Sequence, residues 1–226
     1  MSYIVVSSPS GGGKTTICNM LLQDTRSPIF QNVSFSISAT TRPKRDHETD
    51  GFEYFFLSND EFNDTIGRGE FLEYATVCGN LYGTPLRGIA KNKHTLFDVD
   101  YQGFEQINRN IAEKPINIFL LPPSMIDLQQ RLENRGDIKS NIIRARMQNA
   151  LEEISHSQKY DYILTNYDVE YTFQMVVNIV YNNINCDTTQ KMSDMTSTIK
   201  MLDCNNVDEY LKSALKITQN ASHSSC

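Results

Sequence analysis

Three consecutive glycines followed by a lysine and two threonines constrain this chain more than any other stretch: Ser8-Pro9-Ser10-Gly11-Gly12-Gly13-Lys14-Thr15-Thr16. Just before them, Tyr3-Ile4-Val5-Val6 is short, apolar and β-branched, the texture of a strand buried on both faces. Just after them, Ile17, Met20 and Leu21 fall at helical spacing. Strand, glycine-rich turn and helix in that order form a cradle for phosphate. Glycines let successive backbone N–H groups curl toward one anion, and the following helix presents the positive end of its dipole to it. Lys14 supplies a point charge for the β- and γ-phosphates of a nucleotide, and the Thr15 hydroxyl suits Mg²⁺. Residues Ser8 to Thr16 are therefore the candidate ATP-binding loop, with Lys14 also a catalytic candidate. The motif asks for glycine at its first position, where this chain has Ser8. If that position needs a positive φ, serine is strained there; if it needs only a small side chain, serine fits.

The rest of the chain repeats the strand-then-helix alternation. Thr95–Val99, Ile116–Leu121 and Tyr160–Leu164 read as buried strands, and Val169–Val180 as a helix. Pro122-Pro123 stops a strand, and Ser124 with Asp127 three residues on reads as a helix cap. This alternation predicts an α/β fold: a P-loop, three-layer, mostly parallel sheet core. From Phe35 to about Asn92 the texture changes to aromatics and loops, with Phe52, Tyr54 and Phe56 alternating like a half-exposed strand. This segment, 35–92, is expected to be an inserted lobe of mixed β structure, leaving 1–34 and 93–186 as the core. Arg131, Arg135, Lys139, Arg144 and Arg146 surround Gly136-Asp137 where apolar residues are sparse. That stretch, about 131–148, reads as a surface excursion, a small helical lid. Residues 187–226 are expected to be a polar extension. One short helix is expected within it, capped by Asn206 with Glu209 as capping-box partner and with Val207, Leu211, Ala214 and Leu215 on one face.

The formal net charge of the 226 residues is −6, which does not suit nucleic acid or an anionic membrane as a partner. An anionic ligand must then be met by local clusters of Arg and Lys. Cys18, Cys78, Cys186, Cys204 and Cys226 are odd in number and lack metal-ligand spacing, as expected of reduced thiols. The strand-like start shows no leader pattern, and no apolar run has transmembrane length, so a cytoplasmic location is expected.

A second cationic stretch, Ser38-Ala39-Thr40-Thr41-Arg42-Pro43-Lys44-Arg45, places two arginines three apart. Arginine recognises phosphate bidentately, and a second anion site is what a phosphoryl acceptor needs. Alone, the stretch reads equally well as a solvated basic loop. It does not stand alone. Gly51-Phe52-Glu53-Tyr54, Gly69-Glu70-Phe71-Leu72-Glu73-Tyr74 and Gly79-Asn80-Leu81-Tyr82-Gly83-Thr84 follow it. Together, in order and spacing, they resemble the acceptor lobe of guanylate kinases. Asp98-Val99-Asp100-Tyr101-Gln102-Gly103 is similar to that family's acidic strand end, and Leu132-Glu133-Asn134-Arg135-Gly136 to the start of its lid. The resemblance runs from about Ile4 to about Asn183.

That resemblance implies transfer of the γ-phosphoryl group of ATP to GMP or dGMP, in purine nucleotide metabolism, with Mg²⁺ accompanying ATP. It places the GMP phosphate against Arg42, Arg45, Tyr54 and Tyr82, and the base against Ser38, Glu73, Thr84 and Asp100. It gives Arg135 and Arg146 to the transferring group, with Arg131 a further candidate, and Asn166 to the adenine of ATP; the metal candidates are Thr15 of the loop and Asp98, which follows an apolar strand. Arg144 lies about 200° around a helix from Arg146 and faces away. The chemistry of guanine supports the assignment independently. A carboxylate such as Glu73 can accept from N1–H and N2–H₂ together, and a hydroxyl such as Ser38 or Thr84 can donate to O6. Adenine would leave a buried Glu73 unpaired. A kinase for another nucleoside monophosphate, or a non-catalytic module of the same fold, are the alternatives. Gly13-Lys14-Thr15 speaks against the module, which has no use for ATP. Monomer and homo-oligomer both remain open.

Overall fold

The computed structural model describes residues 1–25, 28–77, 79–134 and 140–185. In chain order its elements are β1 (Tyr3–Ser7), α1 (Lys14–Gln23), α2 (Pro28–Gln31), β2 (Val33–Phe35), β3 (Ala39–Thr40), β4 (Phe55–Phe56), α3 (Asn59–Gly67), β5 (Phe71–Val77), β6 (Asn80–Pro85), β7 (His94–Asp98), α4 (Tyr101–Asn110), β8 (Ile116–Leu121), α5 (Met125–Glu133), α6 (Ser140–Ser155), β9 (Tyr162–Thr165) and α7 (Val169–Asn185). The chain divides into two compact units, and the division passes through β1. Met1–Val5 and Leu22–Ile116 form the first, and Val6–Leu21 with the chain from Asn117 onward the second.

In the first unit the strand order is β2-β7-β1, with β2 and β7 parallel from Val33 opposite His94 to Phe35 opposite Leu96. The unit also holds a four-stranded mixed sheet in the order β4-β3-β6-β5. There β3 runs parallel to β4 and antiparallel to β6, and β6 runs antiparallel to β5. Helix α4 lies along β5, the edge strand. Gln106 exchanges bonds with the Tyr74 backbone (Nε2 to O, 2.7 Å; N to Oε1, 3.1 Å), and Asn110 Nδ2 donates to Leu72 O at 2.7 Å. These two amides, one helical turn apart, satisfy backbone groups that an edge strand otherwise exposes.

In the second unit the order is β1-β8-β9, with β8 and β9 parallel from Ile118 opposite Tyr162 to Leu121 opposite Thr165. Every residue of β8 is buried, as a near-continuous apolar run in a parallel sheet should be. Ser124 caps α5 as its sequence predicts, accepting from the Asp127 N–H at 3.0 Å. Met125, Leu128 and Leu132 then turn inward.

Several expectations need correction. Phe52, Tyr54 and Phe56 do not form one strand. Gly51 takes φ 78° and starts a turn, Phe52 is 76% exposed, Tyr54 makes only an isolated bridge to Asp50, and the strand itself begins at Phe55. The lobe also contains a helix, α3, which its β-like texture hid. Ser58 and Glu61 form a full capping box at its start. Of the stretch expected as a lid, about 131–148, the described residues lie at the end of α5 and the start of α6, with Leu132 buried; beyond it α6 buries Ala150 and Ile154. Strand β9 starts at Tyr162, two residues later than expected. Helix α7 runs five residues further, to Asn185. Arg135, the turn expected at Gly136-Asp137 and the short helix expected in the polar extension fall outside the described residues. Cys18 is a buried free thiol; the other four cysteines also lie outside. No helix among the described residues is long and apolar enough to cross a membrane.

Candidate active site

Between β1 and α1, the glycine-rich loop turns on Gly11 and Gly13, whose φ of 95° and 102° no L-residue adopts without strain. Gly12 N donates to Pro9 O at 2.8 Å, and Ile17 N to Gly13 O at 3.1 Å. Ser8 is buried and is not at positive φ, so the position demands only a small side chain. Its Oγ donates to Pro9 O at 3.2 Å. A Cβ built on Gly12 would fall 1.9 Å from that Oγ, so the serine hydroxyl fills the space a larger residue at 12 would need. Gly12→Ala is therefore expected to raise KM for ATP by about tenfold or more, in line with the cost of small displacements at a reacting centre. The double variant Ser8→Gly/Gly12→Ala is expected to recover most of that loss. Steady-state kinetics in ATP checks both, and a double variant no better than the single one would disprove the coupling.

Lys14 opens α1 and is half-buried, while Thr15 and Thr16 are exposed beside it at the helix start. Asn166, just past β9, is buried, and its Nδ2 donates to Gly12 O at 2.9 Å. Arg131 Nη2 in turn donates to Asn166 O at 3.1 Å. The residue that resemblance gives to adenine thus also braces the phosphate loop, a role that no sequence signal carries. A side chain on Gly13 would meet the same Asn166 amide at 2.2 Å. Arg144 is exposed on α6 and Arg146 half-buried, as their angular separation predicts.

In the first unit, two clusters gather the acceptor-lobe residues. Glu73 on β5 and Thr84 on β6 are direct cross-strand partners. Glu73 is 5% exposed, and its Oε1 accepts from Thr84 Oγ1 at 2.6 Å. Gly103 packs its backbone so close that a Cβ there would sit 2.9 Å from Glu73 Oε2. Asp100 caps α4 by accepting from Gly103 N at 2.9 Å, and so helps to wall that carboxylate. The half-buried Asp98 ends β7 two residues earlier, and the half-buried Ser38 immediately precedes β3.

The second cluster centres on Arg42. Its Cζ lies 5.5 Å from the Tyr54 ring centroid and 5.7 Å from that of Phe56. Tyr54 and Tyr82 meet edge-on at 6.0 Å. Glu48, which sequence reading passed over, grips the guanidinium with both oxygens, Nη2 to Oε1 at 2.8 Å and Nη1 to Oε2 at 2.9 Å. The Arg42 guanidinium, and then the Arg45 N–H, hold the Glu48 carboxyl down to about 2, against the opposing effect of its burial. It is therefore ionised at neutral pH. Arg42 is pushed above the usual arginine range, chiefly by the same bond. Arg45 is not drawn into the cluster: its side chain is 63% exposed and 4.0 Å from Glu48 Oε1. Tyr82 and Thr84 are two apart on β6, so their side chains share a face about 7 Å apart along the strand. The cationic and carboxylate clusters therefore lie end to end on one sheet.

A family model described as guanylate kinase matches residues 1–183. The chain belongs to the guanylate kinase family. It is 43% identical over 182 residues to the guanylate kinase of Ruegeria pomeroyi, covering 78% of this chain and 83% of that one. It is 40% identical over 180 residues to that of Rhodopseudomonas palustris, covering 78% and 80%. Among solved structures it is similar to the crystal structure of guanylate kinase from Anaplasma phagocytophilum, with TM-score 0.65 and 32% identity, covering 85% of this chain and 90% of that one. The parallel-sheet core with a separate mixed sheet is thus the guanylate kinase fold, and the phosphate loop and acceptor lobe both fall within the matched residues.

Proposed function

We propose that this guanylate kinase moves the γ-phosphoryl group of ATP onto GMP or dGMP, yielding ADP and GDP or dGDP. The observation that carries this reading is the buried Glu73 carboxylate beside Thr84, placed on the sheet face that also presents Tyr82. A carboxylate oriented by the Thr84 hydroxyl matches the donor edge of guanine, and the Ser38 hydroxyl suits O6, because the one Thr84 proton is given to Glu73. A cationic aromatic cluster two residues along suits a 5′-phosphate. In this reading Arg42, Tyr54 and Tyr82 hold the acceptor phosphate, with Arg45 reaching it from its exposed position. Ser38, Glu73, Thr84 and Asp100 read the base. Ser8 to Thr16 bind ATP, with Asn166 bracing the loop.

Phosphoryl transfer needs positioning and positive charge more than covalent help from the protein. Lys14, Arg131 and Arg146 supply that charge, and Arg135 is assigned with them on resemblance. The acceptor oxygen is already anionic, so no side chain has to act as a strong base. Among the described residues no cluster of three acidic, His or Cys side chains could cage a metal. That fits Mg²⁺, which keeps most of its shell as water and nucleotide oxygen and needs one or two protein oxygens. In the phosphate-loop unit the exposed Thr15 hydroxyl is the donor we assign; Asp98 stays a candidate on its place at the end of β7 alone. When bound, the ion offsets charge on the β- and γ-phosphates. We assign a cytoplasmic location, which fits the odd number of cysteines and the buried free thiol of Cys18.

The test is ADP formation from ATP·Mg²⁺ with GMP, dGMP, AMP, UMP and dTMP offered in turn. ADP is expected with the two guanine nucleotides alone. Turnover with AMP would overturn the role of Glu73, and none with any of them, in folded protein, would overturn the kinase reading.

A further inference from the structure

Burying a carboxylate is costly unless it is paired and hydrogen-bonded. Among the described residues the buried acidic side chains are Asp24, Glu48 and Glu73. Glu73 has a place in the base site, whereas Glu48, 6% exposed, has no role in the reaction as described so far. Its surroundings are unusually complete. Its two oxygens accept both terminal nitrogens of Arg42 and, at 2.8 Å, the backbone N–H of Arg45. Its own N–H returns to Arg45 O at 3.1 Å, and Lys44 Nζ donates to its carbonyl at 2.9 Å. One side chain therefore closes the whole turn from Arg42 to Glu48.

The consequence for Arg42 follows from its inventory of donors. A guanidinium has five N–H groups. Two go to Glu48, and a third, also on Nη1, goes to Pro43 O at 2.7 Å. The second N–H of Nη2 and that of Nε are not used by these three bonds. An arginine held in this way loses its rotamer freedom before the ligand arrives, and meets a phosphate already oriented.

We propose that Glu48 is a positioning residue for the acceptor phosphate, holding Arg42 and the 42–48 turn in the geometry that receives GMP. The inference rests on the reading of Arg42 as a phosphate contact. It also runs against simple electrostatics, because a carboxylate near a phosphate repels it. Positioning and repulsion therefore predict opposite signs for the isosteric, uncharged variant.

The experiment measures dissociation constants for GMP and guanosine by calorimetry, and KM for GMP and ATP, in wild type, Glu48→Gln, Arg42→Met and the double variant. Gln keeps the size of Glu and can still accept from Arg45, and thermal melts report whether each protein is folded. Glu48→Gln is expected to weaken GMP by about tenfold or more, as loss of preorganisation at a binding centre does. Guanosine affinity and KM for ATP are expected to stay within about twofold, because neither involves the held arginine. In the Arg42→Met background, Glu48→Gln should cost GMP nothing further. Equal weakening of GMP and guanosine would mean a merely structural role and overturn the inference. So would unchanged or tighter GMP binding, or an undiminished effect without Arg42. Loss at Arg42 with none at Glu48 overturns the inference alone; no loss at Arg42→Met overturns its phosphate role and the inference with it.

Discussion

Lys14→Ala is expected to lower kcat by about a hundredfold to a thousandfold, the range seen when one preorganised charge or donor is removed from a developing anion. The fold should survive. The loop owes its shape to Gly11 and Gly13 at positive φ, to the Gly12–Pro9 bond and to the Asn166 brace, none of which uses the lysine side chain. Lys14 is the first residue of α1, so its ammonium adds to a helix end that already favours an anion. What is lost is charge at the transferring group, and the loss should appear in single-turnover rate more than in KM for ATP. The measurement is a quenched-flow single turnover with GMP saturating, beside a thermal melt. Unchanged turnover would remove the loop from catalysis.

Glu73→Gln should act on the other substrate. The substitution keeps volume and keeps an oxygen for the Thr84 hydroxyl, now 2.6 Å from Glu73 Oε1, so the sheet should tolerate it. It replaces the second acceptor with an NH₂ group, which then confronts the donor edge of guanine. A site built around hydrogen bonds discriminates strongly because a mismatch leaves buried groups unpaired. We expect kcat/KM for GMP to fall by about a hundredfold or more, KM for ATP to stay within about twofold, and the preference for GMP over AMP to narrow. Initial rates with GMP and AMP at saturating ATP decide it. Equal loss in ATP and GMP would show that Glu73 supports the fold rather than reads the base.

How legible each part was in the sequence depended on how local its cause is. The phosphate loop could be read because strand, glycines and helix are contiguous, and each has its own chemical reason. The Ser124 cap of α5 could be read for the same reason, since its partner Asp127 is three residues away. Helix α3 carried an equally local signal in Ser58 and Glu61, but the surrounding aromatics drew the segment toward a strand reading. Asn166 and Glu48 are different. Asn166 meets Gly12 across 154 positions of sequence, and nothing near either residue announces the other. Glu48 sits among Lys44, Arg45 and His47, where one acid reads as ordinary surface charge until burial shows that it faces Arg42.

The shared space of Ser8 and Gly12 bears on how this loop can change over generations. With Oγ of one residue 1.9 Å from any methyl placed on the other, the two positions cannot be altered in arbitrary order. A lineage that first gains alanine at 12 is expected to pass through an enzyme with weakened use of ATP. One that first trades Ser8 for glycine is expected to keep a working loop and to open position 12 to later substitution. The hydroxyl of Ser8 therefore acts as a historical latch, and descent can leave this loop sequence readily by only one of the two doors.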